Sequence, residues 1–325
     1  MEQLIHSVFG EIAVLLLLAA VVGLIGNLLR QPLIVSFIAV GLLAGPSALD
    51  IVQAEAQIDL LSELGIAVLL FLVGIKLDVK LIRSLGSVSL LTGLGQVAFT
   101  SVFGYLIGLA FGFGHVASLY VAVALTFSST IIIVKLLSDK REIDSLHGQI
   151  ALGFLIVQDL VVVLAMIVLS AIGMGTGDAA GTETVFGPVV MVLVSGLALI
   201  GLVILLVRYV ADPLTERLAR TPELLVIFAI AQATMFAAIG EVVGLGKEVG
   251  GLLAGISLAS TPYRETIAAR LAPLRDFLLL FFFIALGTSL DLSLLGTHVT
   301  AAAVFSVFVL IGNPLIVLTI MGVLG

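Results

Sequence analysis

A chain of 325 residues that is 61% hydrophobic and 11% charged, with a net charge of −7, holds more apolar surface than a soluble core absorbs; soluble domains are about 25% charged. It has no cysteine, which excludes disulfides, thiol redox chemistry and cysteine-bound metals, and no basic stripe to attract nucleic acid. These limits leave an all-α polytopic membrane protein with the lipid bilayer as its solvent.

In chain order the hydrophobic runs fall at 11–29, 33–49, 58–76, 87–113, 116–137, 148–172, 186–209, 222–241, 244–260, 271–290 and 298–325. A spanning helix needs about 20 residues, fewer where it packs inside protein. The first run is a spanning helix rather than a secretory leader, because no Lys or Arg precedes Glu11 and no small-residue cleavage site follows. Loop charge tests the count. Arg30 follows the first run. Lys76, Lys80 and Arg83 follow the third, and Lys135, Lys140 and Arg141 the fifth. Arg208, Arg217 and Arg220 follow the seventh, and Arg264, Arg270 and Arg275 the ninth. That gathers 13 of the 14 basic residues on one side, with Lys247 as the exception. Asp50, Glu55, Asp178, Glu183 and Asp291 lie in the other loops. Eleven crossings with the N-terminus outside satisfy this alternation.

The longest polar linker, "GMGTGDAAGTETVFGP" at 173–188, separates two related halves. "GLLAG" occurs at 41–45 and again at 251–255. "ELGIAVLLFLVGIKLD" at 63–78 aligns without gaps on "DFLLLFFFIALGTSLD" at 276–291, so that Glu63 meets Asp276, Gly74 meets Gly287 and Asp78 meets Asp291. The loop charges send the paired runs through the membrane in opposite senses, which makes the repeat inverted. Residues 1–172 form a first repeat carrying the ion-site helices, 173–188 an external linker, and 189–325 the seventh helix with a partial second repeat. Ser128 lies 50 residues past Asp78, and the matching place after Asp291 falls beyond Gly325. The expectation is a fragment of a longer transporter, cut after about eleven helices with two still to come.

The sixth run, "GFLIVQDLVVV" at 153–163, places Gln158 and Asp159 near a helix centre. An ionised Asp there costs about 2.5–3.5 kcal/mol on insertion scales, and such residues mark ion or proton pathways. The plainer account is a structural Asp bonded to a neighbouring helix, but no basic residue lies near mid-depth to neutralise it. Gln158 offers an amide oxygen without a second charge; an ordinary interhelical hydrogen bond is its alternative. In "ALTFSSTIIIV" at 124–134, Thr126, Ser128, Ser129 and Thr130 put four hydroxyls in one turn. Hydroxyls satisfy backbone where a membrane helix breaks, and unwound carbonyls coordinate cations. Their alternative is bonding to the carbonyl four residues back in an intact helix.

Glu63, Lys247, Glu248 and Asp276 fall at run ends, where interfacial solvation or local pairing accounts for them, as it does for His6, His115, His147 and His298. No Walker loop, HExxH, GxSxG or dinucleotide fingerprint appears, and no cofactor is expected.

Four motifs resemble the cation:proton antiporter-2 family, in particular the Kef-type potassium/proton antiporters. They are "RQPLIVSFIAVGLLAGP" (30–46), "LSELGIAVLLFLVGIKLD" (61–78), "FSST" with "HGQIALGFLIVQDL" (127–160), and "LGKEVGGLLAGISLASTPYRE" through "PLRDFLLLFFFIALGTSLDL" (245–292). The resemblance implies a NhaA-like antiporter fold with inverted repeats and an unwound fifth helix crossing a broken twelfth. It implies Asp159 as the proton and cation site, with Gln158, Thr126, Ser128, Ser129 and Thr130 binding the cation. It implies K⁺ for H⁺ exchange by a homodimer in the plasma (cell inner) membrane, often with a C-terminal nucleotide-binding regulatory domain, and no enzymatic activity. Relatives with an Asp-Asp pair typically exchange Na⁺, so Gln-Asp leans toward K⁺. Asn313 stands where many relatives carry a membrane-embedded Lys, which suits a single-carboxylate site. The alternatives are a Na⁺/H⁺ antiporter, a gated K⁺ channel and a non-transporting membrane sensor.

Overall fold

A computed structural model describes residues 7–76, 79–126, 130–143, 145–171, 186–290 and 295–324. Asp78, Ser128, Ser129, Asp291 and most of the 173–188 linker lie outside the described residues, as do the side chains of Lys80 and Arg83. The described chain is helical: α1 (Val8–Leu28), α2 (Leu33–Ala44), α3 (Glu55–Lys76), α4 (Val79–Ala110), α5 (His115–Thr126), α6 (Thr130–Asp139), α7 (Leu146–Ala171), α8 (Phe186–Tyr209), α9 (Ala211–Leu218), α10 (Pro222–Val242), α11 (Lys247–Leu258), α12 (Arg264–Thr288) and α13 (Leu295–Leu324). Among the described residues, seven helical stretches are long and apolar enough to cross a membrane, and α2 is a shorter apolar helix. Leu17, Leu24 and Leu28 on α1 and Leu310 and Leu318 on α13 are exposed, as lipid-facing side chains are and soluble surfaces seldom are. The chain is a multi-pass membrane protein.

Each hydrophobic run lands on helix, the fifth on α5 and α6 together. Local chemistry sets the ends. The Ser7 hydroxyl accepts the Gly10 N–H at 3.0 Å and caps α1. Pro222 opens α10, where its missing N–H leaves no helical bond unmade. Gly246, at φ 85°, turns the chain into α11, a conformation that a side chain would strain. The short α9 has no counterpart among the hydrophobic runs; "ADPLTERL" is too brief and too charged for a hydropathy signal.

The helices form two units. The first holds residues 1–69 and 266–299. Its core joins Leu15 and Ala19 of α1, Val40 and Ala44 of α2, Ile58 of α3, and Phe281 and Ile284 of α12. Glu11 is only 3% exposed, and its carboxylate accepts the Gln53 and Ala54 N–H groups at 3.0 and 2.9 Å, just ahead of α3. Helices α2 and α12 meet at glycines. A Cβ on Gly41 would overlap the Ile284 carbonyl and lie 2.8 Å from Gly287 Cα; one on Gly287 would overlap the Ile38 carbonyl. Gly65 of α3 lies against Leu278 of α12, with 2.9 Å from a Cβ there to the Leu278 carbonyl carbon. Asp276 pairs with its neighbour Arg275 at 3.0 Å, the local pairing expected of it.

The second unit holds residues 70–265 and 300–325. Here α3 and α11 meet at glycines in the same manner: a Cβ on Gly74 would overlap the Leu252 carbonyl, and one on Gly255 the Phe71 carbonyl and lie 2.8 Å from Gly74 Cα. Small residues also bring α4 onto its neighbours, Gly93 facing Val157 of α7 and Gly104 facing Ala122 of α5. One face of α4 is polar and buried, with Ser89, Thr92, Gln96 and Thr100. The Thr100 hydroxyl donates to Asn313 Oδ1 of α13 at 2.8 Å.

Candidate ion site

Helix α7 runs 26 residues, about 39 Å at 1.5 Å per residue, and Asp159 sits just past its middle. Both Asp159 oxygens face the hydroxyl of Thr130, the first residue of α6, at 3.4 and 3.3 Å. These are long, weak bonds that leave the carboxylate with capacity for a further partner. Beside them is a small cavity of about 20 Å³, lined by Asp159, Thr130 and Glu248 together with apolar residues that include Leu70, Val73 and Ile156. A cavity of that size holds about one water-sized occupant. No Lys, Arg or His lines it among the described residues.

Gln158 is 1% exposed, and neither amide atom has a hydrogen-bond partner among the described residues. An orphaned buried polar group costs about 1–3 kcal/mol, a common sign that a ligand or an ordered water belongs there. Thr126 is turned elsewhere. Its hydroxyl bonds the Ala122 carbonyl at 2.9 Å and meets the Ser101 hydroxyl of α4 at 3.0 Å. For this residue the back-bonding alternative holds. The structure thus brings Asp159 and Thr130 together, leaves Gln158 buried beside them and directs Thr126 to α4. Ser128 and Ser129 lie outside the described residues.

Sequence reading misses Glu248. It stands among the run-end charges in the sequence, yet it lines the same cavity as Asp159. The physical reason is length. At 12 residues α11 spans about 18 Å, well short of the roughly 30 Å hydrocarbon layer, so a helix end need not be an interface. Lys247 pairs with Glu241 at the end of α10 at 3.1 Å.

The cavity is mostly apolar, with two acidic residues and one threonine among its lining residues, and has room for about one water-sized occupant. A family pattern described as "Sodium/hydrogen exchanger, transmembrane" matches residues 14–325. The chain is 27% identical to K(+) efflux antiporter 5 of Arabidopsis thaliana over 291 residues, covering 89% of this chain and 51% of the relative. It is 27% identical to the K(+)/H(+) antiporter subunit KhtU of Bacillus subtilis over 320 residues, covering 95% and 76%. Its fold matches the solved sodium proton antiporter MjNhaP1 from Methanocaldococcus jannaschii with a TM-score of 0.59 at 15% identity, over 96% of this chain and 77% of that one. The chain spans about half the length of the Arabidopsis relative.

Proposed function

The chain belongs to the transmembrane sodium/hydrogen exchanger family, on its Kef-type cation:proton antiporter-2 branch, and from that premise we propose that it is the membrane part of a secondary antiporter exchanging K⁺ for H⁺. One observation carries the reading: Asp159 borders a one-occupant cavity with a hydroxyl as its hydrogen-bonding neighbour. A carboxylate enclosed by apolar side chains needs a positive partner, and a proton and a bare cation compete for the same place. Asp159 binds each in turn. Thr130 and Gln158 supply neutral oxygens to the cation, and Ser128 and Ser129 add hydroxyls to that set, whereas the Thr126 hydroxyl is engaged by Ala122 and Ser101.

The architecture follows the same proposal, with a NhaA-like inverted repeat across eleven spans, the N-terminus outside, in the plasma membrane. The glycine contacts support it. In the gapless alignment Gly74 answers Gly287, and the partner glycine of each, Gly255 and Gly41, occupies the same place in a 12-residue helix. Gly65 and Leu278, matched in that alignment, touch one another. On this reading Gly41 corresponds to Gly255, one helical turn away from the register of the two "GLLAG" strings. A homodimer supplies the scaffold against which the ion-binding bundle moves.

Asp159→Asn in proteoliposomes of the full-length protein tests the exchange. K⁺-dependent dequenching of an internal pH dye should vanish while the protein stays folded; parent-like dequenching would remove Asp159 from the mechanism. Na⁺ is the second reading, favoured by the family description and by the solved neighbour, a sodium proton antiporter. Dequenching by Na⁺ at lower concentration than K⁺ would select it, and Gln158→Asp should move the preference toward Na⁺.

A further inference from the structure

The exchange site carries more acid than the Gln-Asp pair shows. Glu248 is the second residue of α11, in the first turn, where backbone N–H groups point outward and favour negative charge. Its carboxylate folds toward the turn that precedes the helix: Oε2 lies 2.8 Å from where a Cβ on Gly246 would be. Glycine at that position, with φ 85°, leaves the room. Glu248 lines the same cavity as Asp159 and Thr130, and the other lining residues are apolar. Lys247, next in sequence, is engaged with Glu241. Gln158, next to Asp159 in sequence, keeps both amide atoms unpartnered among the described residues.

We propose that Glu248 is a second acidic ligand of the transported cation, so that the ion is held between two carboxylates from α7 and α11 rather than by Asp159 alone. The proposal rests on the antiporter reading above and deepens it. Two carboxylates bordering a space for one occupant repel each other, and one positive charge between them relieves the repulsion. Either a proton on one carboxylate or one monovalent cation shared by both provides it. Each state leaves the pair with the same net charge, and neither is compatible with the other, which is the coupling an exchanger needs. The second carboxylate also raises cation affinity in an apolar setting, where charge-assisted contacts are about twice as strong as neutral ones.

The test uses the full-length protein in proteoliposomes, with parent, Asp159→Asn, Glu248→Gln and Glu248→Asp measured across K⁺ and Na⁺ concentrations. Glu248→Gln keeps size and hydrogen bonding and removes only charge. It should raise the half-saturating cation concentration by about tenfold or more, as loss of a charged partner does, with a smaller effect on maximal rate. Protection of the protein from heat by KCl, read in detergent without transport, should shift to higher KCl by a similar factor. Glu248→Asp should fall between parent and Gln variant. A Gln variant with the parent's half-saturation and the parent's KCl protection overturns the role of Glu248 while leaving Asp159 in place. If the Gln variant does not fold, the Asp variant decides, since withdrawing the carboxylate by one methylene must weaken cation binding or the proposal is wrong. A parent protein with no cation-dependent proton movement overturns the antiporter reading itself, and this inference with it.

Discussion

Gly41 of α2 and Gly287 of α12 meet backbone to backbone, each closing on a carbonyl one turn back in the other helix. A methyl group on Gly41 would overlap the Ile284 oxygen, so Gly41→Ala must push the helices apart. Overpacking of this kind costs about 1–3 kcal/mol. The melting temperature in detergent should fall by several degrees. Gly201→Ala is the control: nothing lies within 4 Å of a Cβ there, and the better helix propensity of Ala should leave stability unchanged or slightly raised. Equal melting of the two variants would show that the helix contact is looser than described.

Thr130 and Thr126 should separate cleanly. Thr130 donates to Asp159, whereas the Thr126 hydroxyl is engaged by Ala122 and Ser101. Thr130→Val removes a neutral hydrogen bond, worth about 0.5–1.5 kcal/mol, and should raise the half-saturating K⁺ concentration about two- to tenfold. Thr126→Val should lower thermal stability and leave K⁺ dependence near that of the parent. Cation titrations of the two in proteoliposomes check the assignment, and a reversed order would move the site toward α4.

Gln158→Leu should stabilise and disable at once. The amide is buried with no partner among the described residues, so an apolar side chain of similar size removes a penalty of about 1–3 kcal/mol. If that amide is kept for the ion, exchange weakens while melting temperature rises. A variant that loses both stability and exchange would mark Gln158 as part of the helix packing.

Exchange should be electroneutral. Proton-loaded and cation-loaded sites carry the same charge, and no third ionisable group lines the cavity among the described residues. Clamping the vesicles at opposite potentials with a matched ionophore should leave the K⁺-driven proton flux unchanged. A flux that follows the imposed potential would require an additional charge to move.

How far the sequence reads ahead depends on the range of the interaction. Helix positions follow from hydropathy and loop charge, which are local, and Pro222–Val242 differs from its expected run by a single residue. Asp159 is conspicuous because nothing else in its run is charged. Glu248 is not, because only the fold brings α11 and α7 to one cavity, and an adjacent Lys247 makes it look like an end-of-helix pair. Which glycine makes a close helix contact is hidden for a related reason. "GLLAG" has small residues at both ends, and only the carbonyls facing them decide which glycine makes the contact. Thr126 and Thr130 are chemically alike in sequence; which helix each faces comes from the fold.

Glu11 has a consequence for how the protein is made. Its carboxylate is held by backbone amides 42 and 43 residues later in the chain. At about 5–20 residues per second, the acid waits on the order of seconds in a nascent helix before those amides are synthesised. Helices α1 and α2 are by then both synthesised, and the start of α3 closes the group. The first helix is therefore more than a hydrophobic anchor that any spanning segment could replace. A substitute of equal hydrophobicity would deliver the chain to the membrane but leave the N–H groups of Gln53 and Ala54 open, and the helix that carries Leu70 and Val73 to the ion cavity would begin unfastened.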